Sequence, residues 1–264
     1  MIQAQLYGKA ASELTWSEDV LTSNIFGLLK YLSTPEVLLT ILQGAYNLDY
    51  EPLVFETHIE RISYTFWPRL QNSEPDLVLI LHAKSGVHII GVEAKYLSGK
   101  SSEEDLLASI QDRDNKQRDQ LAREIEDLHD SANYPMIGVE ESSILSIRLI
   151  YLTMESYIPH DELQASLESL KAHSACQFPS KHLYWLSWKT FYDNLKCTNP
   201  SATDSMILTD LRSYLNKKSI RTFSGFSMKP VGILNWCYTK NRKRPLQIVP
   251  SLTWKYKEAN HGTN

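Results

Sequence analysis

Apolar and polar positions make their clearest pattern in the middle of the chain. Leu77-Val78-Leu79-Ile80-Leu81 and Val87-His88-Ile89-Ile90-Gly91-Val92 are two apolar runs, with Ala83-Lys84-Ser85-Gly86 between them. β-Branched runs around a Ser-Gly turn predict a β-hairpin. Within its strands the charges stand only at the open end: Asp76 begins the first, and Glu93 and Lys95 close the second. A two-residue Ser85-Gly86 turn sets Asp76 opposite Lys95 and Val78 opposite Glu93. Side chains alternate faces along a strand, so Asp76, Glu93 and Lys95 then project from one face.

The other elements follow from period and punctuation. Residues 1–14 read as a lead-in. Ser17 is an N-cap, with Glu18 and Asp19 in the first helical turn. Glu18, Leu21, Ile25, Leu28 and Leu32 recur at spacings of three and four and share a helix face. Pro35 opens a second helix through Leu42. Leu53 to Ile62 predicts the first strand, with Val54, Glu56, His58 and Glu60 on one side. After the hairpin, Ser101 or Ser102 caps a helix, and a second helical run covers 115–130. Ile144–Thr153 predicts a strand, Asp161–Lys171 a helix, Tyr184–Trp188 a strand, 189–196 a helix, and Asp204–Asn216 another. Two strands joined through a helix imply a crossover, hence a mixed sheet with helices on both faces. His58, His82 and His88 read as strand-surface residues.

Composition narrows the classes. At 264 residues the chain can bury a substantial core. Its 42% hydrophobic and 22% charged content is ordinary for a globular protein. No apolar run approaches the ~20 residues of a membrane span. Met1-Ile2-Gln3-Ala4-Gln5 does not read as a signal peptide, so the expected location is the cytoplasm. Cys176, Cys197 and Cys237 show no zinc spacing. Walker A, GxGxxG and GxSxG motifs do not occur.

The net charge of −4 runs against strong phosphate binding by the chain as a whole. The one dense basic cluster is Lys240, Arg242, Lys243 and Arg244, set among Trp236, Tyr238, Trp254 and Tyr256. It reads either as a solvated loop or as a surface for nucleic acid. Two domains are expected: 1–198, and a 199–264 helix and aromatic, basic tail packed on it.

The open end of the hairpin carries the chemistry. Two carboxylates on one face suit a hard cation, Mg²⁺ or Mn²⁺. Such an ion polarises a phosphoryl oxygen and acidifies bound water. A lysine on the same face can orient that water or offset transition-state charge. The bland alternative is a strand cap at Asp76 and a surface pair of Glu93 with Lys95. A similar triplet, Asp114-Asn115-Lys116, lacks an apolar strand before it.

Pro75-Asp76, a hairpin, then Glu93-Ala94-Lys95 resembles the signature of the PD-(D/E)XK nuclease superfamily, to which the restriction endonuclease-like fold belongs. Trp16–Ser23, Tyr96–Ser101 and Asp119–Glu124 are similar to bacterial members, several of them in antiphage defence systems. The resemblance covers residues 12–195. It implies an α/β fold with a central mixed β-sheet flanked by helices. It implies a Mg²⁺-dependent deoxyribonuclease, with Asp76, Glu93 and the Ala94 carbonyl at the metal and Lys95 at the nucleophile. It favours Glu18 over Asp19 as an acid reaching a second ion or a metal-bound water; on its own Glu18 reads as a first-turn acid favoured by the helix dipole. It also brings Gln120 to the site, ahead of Gln117. The implied partner is nucleic acid, DNA before RNA, with a partner protein of a defence complex and self-association also compatible. A different class stays open: a non-catalytic nucleic-acid-binding or assembly subunit that keeps the nuclease fold. A structural or regulatory partner-binding protein suits the acidic charge.

Overall fold

The computed structural model describes residues 2–7, 16–97, 118–174 and 177–221. The chain divides into a compact unit, Met1–Phe223, and a second unit, Ser224–Asn264, which lies outside the described residues. So do the helix expected after Ser102, Gln117, and the basic and aromatic tail.

In chain order the elements are α1 (Ile2–Leu6), α2 (Glu18–Leu29), α3 (Glu36–Leu42), β1 (Ile59–Phe66), β2 (Leu77–Ala83), β3 (Gly86–Ala94), α4 (Gln120–His129), α5 (Tyr134–Ile137), β4 (Ile144–Thr153), α6 (His160–His173), β5 (Leu183–Ser187), α7 (Trp188–Asn194) and α8 (Ala202–Lys217). The strands form one open sheet in the order β1-β2-β3-β4-β5. The first three are antiparallel neighbours; β4 and β5 lie parallel to β3 and to each other. The chain is thus an α/β protein with a five-stranded mixed sheet. Among the described residues no helix is long and apolar enough to cross a membrane.

Alternate residues of the strands feed two cores. Leu77, Leu79, Leu81, Val92, Ile150 and Leu152 pack with Leu21, Ile25, Ile41, Phe191 and Leu211 from α2, α3, α7 and α8. Val78, Ile80, Ile89, Leu149 and Tyr151 pack with Leu121, Ile125 and Leu128 of α4 and Leu163 and Leu167 of α6. Helices therefore cover both faces, as a parallel segment requires. Helix α8 buries Leu211, Tyr214 and Leu215 in the same core as α2. Gly91 brings α4 close: a Cβ there would lie 2.6 Å from Leu128 Cδ1 and 2.8 Å from Leu149 Cδ1.

The hairpin register differs from the expected one. The turn is Lys84-Ser85, and Gly86 is the first residue of β3, with Ala83 paired to Gly86 and Leu77 to Val92. Gly86 has φ +152°, and a Cβ there would meet the Ser143 carbonyl at 2.3 Å, so the backbone of β4's lead-in demands glycine at this position. The shift moves each pairing by two residues, an even step, so Asp76 and Glu93 still share a face.

The first strand also differs. The expected Leu53–Ile62 strand is displaced to Ile59–Phe66, and Val54 and Glu56 lie outside it. Pairing with β2 decides this, because the chain from Trp67 to Asp76 returns Phe66 beside Leu77. In α2, Leu32 falls past the helix end, while Val20, Phe26 and Leu29 join the buried face. His88 is buried, hydrogen bonded to Thr57 Oγ1 at 2.9 Å and Ser146 Oγ at 2.7 Å, not a surface residue.

Candidate active site

Three elements meet at the open end of the hairpin. Ser17 caps α2, its Oγ accepting the Val20 amide at 3.3 Å, which sets Glu18 at the first turn. Asp119 caps α4, its Oδ1 accepting the Ala122 amide at 3.1 Å, which sets Gln120 at the start of that helix. β3 ends at Ala94 and delivers Glu93 and Lys95 between them.

Lys95 Nζ lies 2.6 Å from Glu93 Oε1 and 3.3 Å from Glu18 Oε1. Gln120 Nε2 donates to the same Glu93 oxygen at 2.6 Å and to Glu124 Oε1 at 3.0 Å. Asp76 Oδ2 accepts the Ala94 amide at 2.9 Å. Glu18 Oε2 accepts the Tyr96 amide at 2.9 Å. Asp76, Glu93, Lys95 and Glu18, together with Asp19, Glu74 and Trp67, line one cleft of about 560 Å³. The structure therefore gathers Asp76, Glu93, Lys95, Glu18 and Gln120. Ala94 contributes an observed amide contact to Asp76.

Charge is strongly imbalanced here. Burial, then the Glu93 carboxylate, push the Asp76 carboxyl up to about 7. Burial also raises Glu93, against the pull of Lys95 and Gln120. Burial and Glu93 hold Glu124 well above the usual carboxylate range. Burial disfavours the Lys95 ammonium, but Glu93 and Glu18 outweigh it and raise its pKa above the ordinary lysine value. Lys95 is accordingly a fixed cation and not a proton acceptor near neutral pH.

Among the described residues no group of three or more His, Cys, Asp or Glu side chains is arranged as a metal cage. Both Glu18 oxygens already receive donors, Lys95 and Tyr96. The remaining donor set is two carboxylates, Asp76 and Glu93. That set fits a Mg²⁺-like ion, which keeps several waters and takes one or two carboxylates plus substrate oxygens. Burial, more than any other cause, raises both carboxyl groups, and Lys95 offsets only part of that cost.

The backbone around Lys95 is firmly held. Its amide donates to Leu152 O at 2.7 Å, and Trp188 Nε1 donates to its carbonyl at 3.1 Å. Tyr96 Oη donates to Lys218 O at 2.7 Å, and Trp16 stacks on the Tyr96 ring at 6.3 Å. Trp67, on the cleft wall, has φ +44°, a strained value for a bulky residue, and its amide donates to Asp76 O at 3.1 Å.

Sequence reasoning missed Glu124, Trp67, Glu74 and Lys218. For Glu124 a signal existed: it lies four residues after Gln120 and so on the same helix face. The others come together only through tertiary contact. Comparisons of the chain with family models, curated proteins and solved structures give no match.

Proposed function

We propose that this protein is a metal-dependent nuclease with a restriction endonuclease-like core, hydrolysing phosphodiester bonds in DNA. The observation that carries the reading is the convergence of Asp76, Glu93 and Lys95 in one cleft, with Lys95 held as a cation by Glu93 and Glu18. Asp76 and Glu93 would hold Mg²⁺ or Mn²⁺. Such an ion, when bound, polarises a phosphoryl oxygen and acidifies water. Lys95 then orients the attacking water and offsets charge that develops on the phosphoryl oxygens. Glu18 fixes Lys95 and, through the Tyr96 amide, the end of β3. A role in defence against foreign DNA rests on the family resemblance alone.

A second reading has its own observation. Five acids and one lysine line the cleft, which repels phosphate unless a cation is present. A non-catalytic assembly or partner-binding subunit, with no phosphate to hold in the cleft, would leave it so. Plasmid digestion with Mg²⁺, with and without EDTA, separates the two. The nuclease reading expects cleavage that EDTA abolishes; intact plasmid at every metal concentration sinks it.

Metal binding is expected in the absence of DNA. At about 100 times its dissociation constant, Mg²⁺ or Mn²⁺ stabilises the native state by about 2.7 kcal/mol, which raises the melting temperature by about 5–10 °C. A melting curve indifferent to both ions contradicts the assignment.

The α2 acid gives a separate test. Glu18→Gln removes the charge that faces Lys95 but keeps an acceptor for the Tyr96 amide. Cleavage should fall about tenfold or more while the fold persists. Asp19, exposed and one residue off the face, should tolerate Asn. The reverse pattern would show that the wrong acid has been assigned to the site.

A further inference from the structure

Gln120 and Glu124 stand one helical turn apart on α4 and share its face. The Gln120 amide nitrogen lies 2.6 Å from Glu93 Oε1 and 3.0 Å from Glu124 Oε1. A primary amide nitrogen carries two hydrogens, so one can reach each carboxyl group. Turned over, the amide would set its carbonyl oxygen against Glu93 Oε1, which already meets the Lys95 ammonium. Glu93 thus fixes the sense of the amide, and Glu124 takes its second hydrogen and holds it there. Lys95 Nζ meets the same Glu93 oxygen at 2.6 Å. Two donors on Oε1 hold the Glu93 carboxyl in one orientation, and neither of them engages Oε2.

Glu124 has no evident value to stability. It is 1% exposed, and its Oε2 is buried without a hydrogen-bond donor among the described residues. A carboxyl group there, beside Glu93, carries a desolvation cost that leucine would avoid. The i, i+4 pairing with Gln120 is by itself a small gain, about 0.2–0.5 kcal/mol for an isolated helix pair.

From this geometry we infer that Glu124 is a positioning residue: it acts through the Gln120 amide to hold Glu93 in the orientation the site uses. The effect on rate rests on the nuclease reading; the contact does not.

The test has two arms. In a ¹H–¹⁵N spectrum, both side-chain amide protons of Gln120 should be shifted downfield and slow to exchange. Glu124→Leu should return one of them toward the free value, and Glu124→Gln, whose carbonyl still accepts, should keep both. In single-turnover cleavage with Mg²⁺, Glu124→Leu should slow the reaction about 10–100-fold, the scale for groups that orient metal ligands. Its melting temperature should be unchanged or higher. Glu124→Gln should restore most of the rate. Gln120→Leu should lose as much, and the double variant Gln120→Leu/Glu124→Leu should be no slower, because the two act in series.

A full rate in Glu124→Leu, beside an active wild type, overturns the inference. So does a double variant in which the losses multiply, or a loss of rate that tracks a fall in melting temperature. Failure of the wild type to cleave DNA removes the nuclease reading and the kinetic role together. The spectrum then decides the contact alone, and an unshifted amide pair overturns that too.

Discussion

Metal-free protein carrying Asp76→Asn is expected to be more stable than the wild type at pH 8, by an amount on the order of a few kcal/mol, and no more stable near pH 4. The Asp76 carboxyl is raised from 3.8 to about 7, chiefly by burial and then by Glu93, and each pH unit is worth about 1.4 kcal/mol. Between those values the native protein keeps a proton that the unfolded chain releases. Wild-type stability therefore falls as pH rises through this window and levels off above it. Asparagine carries no charge, so this term vanishes, and its carbonyl can still accept the Ala94 amide. The melting temperature should rise accordingly, by roughly 2–4 °C for each kcal/mol in a chain of this size. The same substitution should abolish most of the rise that Mg²⁺ or Mn²⁺ produces, and it should abolish cleavage. Thermal melts of both proteins across pH 4–8, with EDTA and with Mn²⁺, measure all of this. A variant less stable than the wild type at pH 8 would show that the buried Asp76 charge carries no net cost. An undiminished metal response would place the ion elsewhere.

The parts of this site that could be read from the chain are those set by period. Alternation put Asp76 and Glu93 on one face, and that survived a wrong turn because the error was an even number of residues. A slip of one would have separated them. The turn itself was misplaced because Ser85-Gly86 has the ordinary composition of a hairpin turn. What requires Gly86 is the Ser143 carbonyl, a neighbour nearly 60 residues away. The strand β1 was misplaced for a related reason. It is an edge strand with mostly half-buried positions, so its alternation is weak, and its pairing is settled by β2.

Caps are local, and Ser17 was legible as the start of α2. The run expected from 115 instead begins at Gln120, because the Asp119 side chain caps α4 there. Those two starts position Glu18 and Gln120, which approach the end of β3 from different helices. Their meeting there is a tertiary fact, absent from any local pattern; the family resemblance supplied it in advance. The i, i+4 signal at Glu124 is ambiguous for a subtler reason. A Gln–Glu pair at i, i+4 is a normal solvated helix surface, and only the packing of α4 on the sheet buries Glu124.

Lys95→Ala is expected to leave the metal bound as tightly as before or more tightly, and to slow cleavage by about 10²-fold or more, the scale of losing one preorganised electrostatic contact. The fold should persist, because the backbone of Lys95 is held by Leu152 and Trp188 independently of its side chain. Stability should still drop, since Glu93 and Glu18 lose the ammonium that lies between them. Two roles predict different results. A lysine that only offsets negative charge can be replaced by the metal ion itself, so at saturating Mg²⁺ the variant would cleave at the wild-type rate. A lysine that orients water and meets developing phosphoryl charge cannot be replaced this way, and the deficit persists at saturation. The high pKa of Lys95 keeps it charged across the working range, so its action is electrostatic and the deficit should be independent of pH between about 6 and 9. Single-turnover cleavage and DNA affinity, measured for both proteins at the same salt over a Mg²⁺ series, discriminate the two. DNA affinity should be nearly equal, because the contact is made in the transition state more than in the ground state. Rates that converge at high Mg²⁺ would reduce Lys95 to a counter-ion.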